Sequence, residues 1–439
     1  MKKMIYFLLA ALAISACSES TVEENVLDGE KASVVSLYSD EACTEASLLA
    51  GNVLVKEGTP LTVDLSVPTY SRNIYMKYAS ASGEQVRTLP LSDLVASVVI
   101  ADASAKDASS FDYATSRAVS VSLSLPEDAV SATSEEDAGF RFYHNTGVAM
   151  FEDNWPIQKN QDNDLNDVVF EYDFKVTECQ DEQLLAAQGY KEGLKLTLDV
   201  RAKGGLYPAK LGVVLEGLDS QYIDGTVTRI VLKSGQGMEK ELAVGSTSAD
   251  ASKIFNDNQH CKVTVDTKNG TPVITMDGLA ELGDNTNFFQ TTRNYIIEGL
   301  PMLRAEITFK GKLRSELSAT EGAAQLKAYR ESILDTKKQN FFIVTKAGRE
   351  IHMKGYQPTY TYLTKYEADS QGEMAEGTTY SNKNGFVWGI KVPVGLAHAY
   401  EKVLFDDAYP EYREWVNSNG TDKQDWYLYP NANNVVRYW

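Results

Sequence analysis

Carboxylates and amides crowd one short stretch of this chain, MFEDNWPIQKNQDNDLNDVVFEYDF, from Met150 to Phe174. Glu152, Asp153, Asp162, Asp164, Asn166 and Asp167 all offer oxygen, and like charges brought this close raise one another's pKa. A hard cation relieves that repulsion directly. Oxygens at the alternating positions Asp162, Asp164 and Asn166, followed by Asp167, resemble the opening of a calcium loop, where alternate residues fold inward around the ion. The loop is not an EF-hand. Its sixth position is Asp167 where glycine is required, and its twelfth, Asp173, would stand about 20 Å away at roughly 3.3 Å per strand residue. Calcium suits the donors better than zinc, because no histidine or cysteine lies in the stretch. Magnesium would take fewer carboxylates and more water. Two other readings stay open: an acidic Asx-turn loop without an ion, and a glycosidase-like carboxylate pair.

Such a loop needs flanking elements to hold its ends together. Val168, Phe170, Tyr172, Phe174 and Val176 alternate with polar residues, the mark of a strand with one buried face. GVAMFED, Gly147 to Asp153, reads as the strand before it. Sequential strands usually pair, so the two predict a hairpin whose mouth gathers the carboxylates. Period-two alternation recurs in PLTVDLSV (60–67), AVSVSLSL (118–125), LKLTLDV (194–200) and RAEITFKG (304–311). Val263 and Val265, then Asn269-Gly270, then Val273 and Ile274 predict a further hairpin. The expected fold is all-β, mainly an antiparallel sandwich of jelly-roll type, with one or two helical insertions. One helix is expected over 319–338 with a cap at Thr320. A second is expected over 406–420, with Tyr409, Tyr412 and Trp415 on one face.

The N-terminus carries an address. MKKMIYFLLAALAISAC has a basic start, an apolar run too short to span a membrane, and a lipobox-like ISAC. Residues 1–16 read as a lipoprotein signal peptide, Cys17 as the lipidation site that carries palmitate-type chains, and 17–31 as a flexible acidic tether. Residues 32–125 read as an N-terminal β domain and 126–439 as a second, larger one, beginning at a polar stretch over 126–139. A formal net charge of -19 on 439 residues argues against a nucleic-acid partner. Cys43, Cys179 and Cys261 lack any CxxC spacing; one disulfide or three buried thiols are equally open. His144, His260, His352 and His398 are far apart, and His352 reads as a packing residue. Trp388, Trp426 and Tyr427 gather near the C-terminus as candidate ligand-facing aromatics, of the kind that stack on sugar rings.

The acidic stretch resembles the LruC-domain family of bacterial outer-membrane lipoproteins, whose pattern is F-E-D-x-W-P, a spacer, then D-x-D-x-N-D and an apolar strand. The likeness resumes in GREIHMKGYQPT (348–359), VWGIKVP (387–393) and the block from Ala399 to Tyr427. This chain departs from the pattern at Asn154 and Leu165 and keeps every carboxylate. The resemblance implies a β-rich protein, lipid-anchored or secreted, with no catalytic residues to carry over; with the lipobox, the expected location is the outer membrane, lipid-anchored and surface-exposed. The expected function is binding or envelope architecture around a structural calcium loop, without enzymatic activity, with an extracellular glycan or protein as partner. The alternatives are a glycan-binding accessory lipoprotein, a fimbria-like adhesin and a glycoside-active enzyme.

Overall fold

The computed structural model describes residues 31–94, 111–131, 139–159, 162–180, 191–233, 239–246, 261–268, 270–283, 288–297, 299–311, 318–393 and 395–437. Cys17, the signal segment, His260 and Asn269 lie outside the described residues, as do most of the tether and part of the polar stretch at 126–139.

Alternating apolar residues become strands wherever they occur. In chain order these are β1 (Ala32–Tyr38), β2 (Leu48–Lys56), β3 (Leu61–Pro68), β4 (Asn73–Ser80), β5 (Gly83–Pro90), β6 (Ser116–Leu123), β7 (Phe140–Phe151), β8 (Val168–Cys179) and β9 (Gly193–Ala202). They continue with β10 (Pro208–Leu215), β11 (Ile223–Lys233), β12 (Glu239–Ala243), β13 (Val263–Asp266), β14 (Val273–Asp277), β15 (Met302–Phe309), β16 (Gln339–Thr345), β17 (Glu350–His352) and β18 (Gly389–Val392). All pairings are antiparallel. The main sheet runs β12-β11-β15-β9-β8-β7-β2-β1-β4-β5, with β18 also on β7; a second runs β13-β14-β10-β16-β17, and β3 pairs β6. The expected all-β sandwich with a few helices is what the chain forms.

The predicted face of β8 is the core face. Phe170, Phe174 and Val176 are fully buried, and Phe170 and Tyr172 meet Phe341 of β16 at ring-centroid distances of 5.2 and 5.0 Å, joining the two sheets. Large side chains buried this way each contribute about 1.5–3 kcal/mol. The same apolar cluster takes in Val63, Leu65, Val119 and Val121 from β3 and β6. The sheet also runs through β2 and β7, where Ala50 faces Tyr143. Backbone pairing and core therefore cross residue 126 without a break.

The helices differ in detail from expectation. α1 (Ala319–Leu334) starts two residues earlier than a cap at Thr320 would place it. Ser318 accepts the Glu321 N–H while the Glu321 side chain returns to the Ser318 backbone, a reciprocal box that satisfies two orphan donors. α2 (Leu363–Ser370) was not expected. The 406–420 helix is two short pieces, α3 (Phe405–Ala408) and α4 (Tyr412–Asn417), interrupted around Pro410, whose missing N–H cannot continue a helix. Tyr409, Tyr412 and Trp415 are nonetheless buried. Among the described residues no helix is long and apolar enough to cross a membrane, and Cys43, Cys179 and Cys261 form no disulfide with one another, with only Cys261 buried.

Candidate metal centre

Three neighbouring strand ends build the site. β7 ends at Phe151 opposite Val168, where β8 begins, and Ala202 at the end of β9 lies beside Val169. The loop between β7 and β8 thus meets Lys203, Gly204 and Gly205 as they leave β9. The C-terminal segment closes the third side. Val148, Met150 and Val169, on the outer face of this hairpin end, are buried beneath Leu396, Ala399, Phe405 and Trp426.

Within this frame the expected ligands divide into two groups. Glu152, wholly buried, binds backbone: the N–H groups of Asp164 and Leu165 donate to its Oε1 at 2.8 and 2.6 Å. Asp167 Oδ2 accepts the Asp153 N–H at 2.6 Å, and Asp153 Oδ2 accepts the Tyr207 N–H at 2.9 Å. These three carboxylates brace the loop. Burial pushes Glu152 and Asp167 well above the ordinary carboxylate range, helped for Glu152 by the nearby Asp167 and for Asp167 by Asp153. Asp153 is raised by burial as well. Lys203, itself lowered to about 8 by burial, is within electrostatic reach of Asp153 and Asp167.

The second group points its oxygens together. Asp162, Asp164 and Glu401 each bring a carboxylate oxygen to within 4.8 Å of the others. Burial and the neighbouring Asp162 raise Asp164 to about 7; burial, then Asp164 and Asp162, raise Glu401 to about 8. Asn166, wholly buried, donates its amide nitrogen to the Ala399 carbonyl at 3.2 Å, leaving Oδ1 without a donor. A Cβ on Gly204 would stand 2.0 Å from that Oδ1 and 2.9 Å from Glu401 Oε2. Amide oxygen and carboxylate therefore face the same small space, which only glycine at 204 keeps open. A Cβ on Gly205 would similarly meet Asp153 Oδ2 at 2.3 Å. Asp162, Asp164, Glu401 and Asn166 could together hold a hard cation; the oxygen-only donor set excludes the thiolate and imidazole preferences of softer metals.

The two departures from the sequence pattern have structural roles. Asn154 gives its Nδ2 to Glu152 Oε2 at 3.2 Å and accepts the Trp388 indole N–H at 2.9 Å. Leu165 sits at φ 50°, a left-handed conformation costing a non-glycine residue about 1–2 kcal/mol. The Glu152 hydrogen bond to its N–H holds it there.

Sequence reasoning missed Glu401, Gly204 and Gly205. Glu401 lies in the block from Ala399 to Tyr427, but nothing in local spacing links it to a loop more than two hundred residues earlier. The adjacent glycines at 204 and 205 were the one local signal of close backbone approach. The aromatic expectation is corrected. Trp388 and Trp426 are wholly buried and Tyr427 nearly so, so none faces a ligand. Trp426 packs edge-on against Phe405, Tyr409 and Tyr412, because the C-terminal segment must bury its own rings to seat itself on the sheet. His352 is a packing residue: it stacks on Phe342, with Nδ1 2.7 Å from Asn340 Oδ1 and Nε2 3.2 Å from Glu350. His144 pairs with Asp173, and His398 is buried against the Gln290 carbonyl.

Comparison with solved structures finds a crystal structure of a "putative lipoprotein" from Bacteroides ovatus, 44% identical, with a TM-score of 0.75, covering 92% of this chain and 99% of that one. No curated protein matches. The model of a domain of unknown function, DUF4842, matches residues 192–427, a span that includes Gly204, Gly205 and Glu401. The chain belongs to the DUF4842 family.

Proposed function

We propose that this is a lipid-anchored, non-enzymatic protein of the outer membrane, of LruC type, whose acidic loop takes a structural calcium ion. The convergence of Asp162, Asp164 and Glu401 with the unpartnered Asn166 Oδ1 carries the calcium reading. Calcium–oxygen bonds of 2.3–2.6 Å put ligands on opposite sides of the ion about 5 Å apart, which the 4.8 Å spread accommodates. A buried oxygen lacking a donor costs about 1–3 kcal/mol, and a cation would satisfy it. The ion would tie the β7–β8 loop to the C-terminal segment, a role in architecture and not in turnover. Of the loop carboxylates, Glu152, Asp153, Asp164 and Asp167 already accept backbone N–H groups, which disfavours a glycosidase pair among them.

The lipid anchor is supported by the ISAC motif ending at Cys17 and by similarity to the Bacteroides ovatus protein. The strand register adds a direction. Ala32 pairs Lys56, and β2 meets β7 with Gly51 opposite Phe142. β1 thus begins beyond the Phe140 end of β7, while the acidic loop leaves the Phe151 end. A tether preceding β1 would enter one end of the sheet and hold the acidic loop at the other, away from the membrane.

Thermal melting of the full chain with calcium and with EDTA tests the ion. Calcium should raise Tm by several degrees; equal melting temperatures, with no heat on titrating CaCl2 into the EDTA-treated protein, would refute it. Membrane fractionation of Cys17→Ser tests the anchor, since an unchanged membrane fraction and unchanged mobility contradict it.

A further inference from the structure

The acidic loop has a second side. Asp162, Asp164 and Asn166 direct oxygens to the proposed ion, whereas the intervening Asn163 and Leu165 line a separate cavity of about 260 Å³. One stretch of chain is therefore both ion shell and cavity wall. The join is tight. The Phe405 N–H donates to the Asn163 carbonyl at 2.7 Å, fixing the start of α3, which supplies the opposite wall.

The lining defines a ligand chemistry. Its polar members are the amides of Gln158 and Asn163 and the ion pair of Asp406 with Arg413, whose Nε and Nη2 reach Asp406 Oδ2 at 3.0 and 2.5 Å. That pair is neutral as a unit. Asp162, Asp164 and Glu401 next door disfavour an anion. The one carboxylate in the lining, Asp406, is already neutralised by Arg413, so no free charge balances a cation beside Leu165, Leu404, Tyr412 and Val416. What fits is a neutral molecule with one apolar face and several hydroxyls. The volume is below the roughly 300–1,000 Å³ of drug-sized sites, enough for one ring. Leu404 and Arg413 are exposed, so the cavity opens to solvent.

We propose that this cavity binds a neutral sugar ring at the end of a glycan, and that calcium in the adjoining loop is required to set its wall. The inference rests on the calcium reading above. It places ligand recognition at the loop end of the sheet, opposite the start of β1. It also replaces the buried Trp388, Trp426 and Tyr427 with a different set of contacts.

Saturation-transfer NMR of the full chain against free glucose, galactose, mannose and N-acetylglucosamine, in calcium and in EDTA, tests it, with CaCl2 binding measured separately by calorimetry. At least one sugar should give signals in calcium that fall at least tenfold in EDTA. Arg413→Ala, a change at an exposed side chain, should weaken that sugar at least tenfold, and Val416→Trp should abolish its signal by filling the cavity, both with calcium binding intact. Calcium binding without any sugar signal overturns the cavity assignment and leaves the ion reading standing. Sugar signals that persist in EDTA, or survive both variants, overturn the proposal as well. Failure of CaCl2 to bind removes the loop reading on which it rests.

Discussion

Asp164 Oδ2 accepts the backbone N–H of Lys402 at 2.8 Å, across 238 residues of chain. This contact sets Glu401, one residue earlier, against the acidic loop, and it explains why the metal-type cluster draws on both ends of the larger half of the protein. The first prediction follows from it. Glu401→Gln keeps the size of the side chain and removes its charge. Calorimetric titration should show calcium affinity reduced at least tenfold, with the EDTA-treated protein no less stable than the parent. An unchanged affinity would assign the ion to other ligands.

Glu152 should behave in the opposite way. Its Oε1 takes two backbone N–H groups in a wholly buried position. Glu152→Ala strands both donors and should cost about 3–5 kcal/mol. Urea unfolding should register that loss in EDTA as well as in calcium, because the role is to brace the loop whether or not an ion is bound.

Gly204 is held to glycine by its neighbours. Gly204→Ala brings a methyl group to 2.0 Å from Asn166 Oδ1, and such overpacking costs about 1–3 kcal/mol. Since the displaced oxygen is a proposed ligand, the variant should lose both thermal stability and calcium affinity. Gly395→Ala, where a Cβ meets nothing within 4 Å, is the control and should change neither.

His398 supplies a pH dependence. It is wholly buried, its Nε2–H donates to the Gln290 carbonyl at 2.8 Å, and burial with the nearby Arg201 lowers its pKa to about 3. The unfolded chain protonates this histidine near pH 6.5, and the folded chain does not until about pH 3. Its contribution is fully present above pH 6.5 and is lost as pH falls from there toward 3, a loss on the order of a few kcal/mol. Asp164 and Glu401 titrate in the opposite sense when free of metal, so stability should be measured in saturating calcium. The difference between the parent and His398→Gln should shrink steadily from pH 7 to pH 4; a constant difference would exclude the histidine as its source.

Much of this was legible in the residues alone. Alternation at Val168, Phe170, Tyr172 and Phe174 predicted β8 and its core face, because a strand turns successive side chains to opposite sides. The rise along a strand placed Asp173 away from the cluster, and the pairing of sequential strands put the mouth of the β7–β8 hairpin among the carboxylates. Alternation failed at Val169, which the pattern assigns to the polar face, because the C-terminal segment covers that part of the sheet. The aromatics failed for a related reason: a tryptophan signals a large apolar surface, and sequence does not say whether that surface meets a ligand or the protein's own core.

The sequence by itself determined the all-β class, the hairpin and the crowding of oxygens at its mouth, since all three depend on residues near one another in the chain. Only the tertiary structure decided which oxygens brace the loop and which converge on a common point. Backbone N–H groups from Leu165, Asp153 and Tyr207 occupy Glu152, Asp167 and Asp153, while Glu401 arrives from the C-terminal segment to complete the other group. A carboxylate's role is set by which donors surround it, and those donors come from segments that the fold, and not the local spacing, brings together.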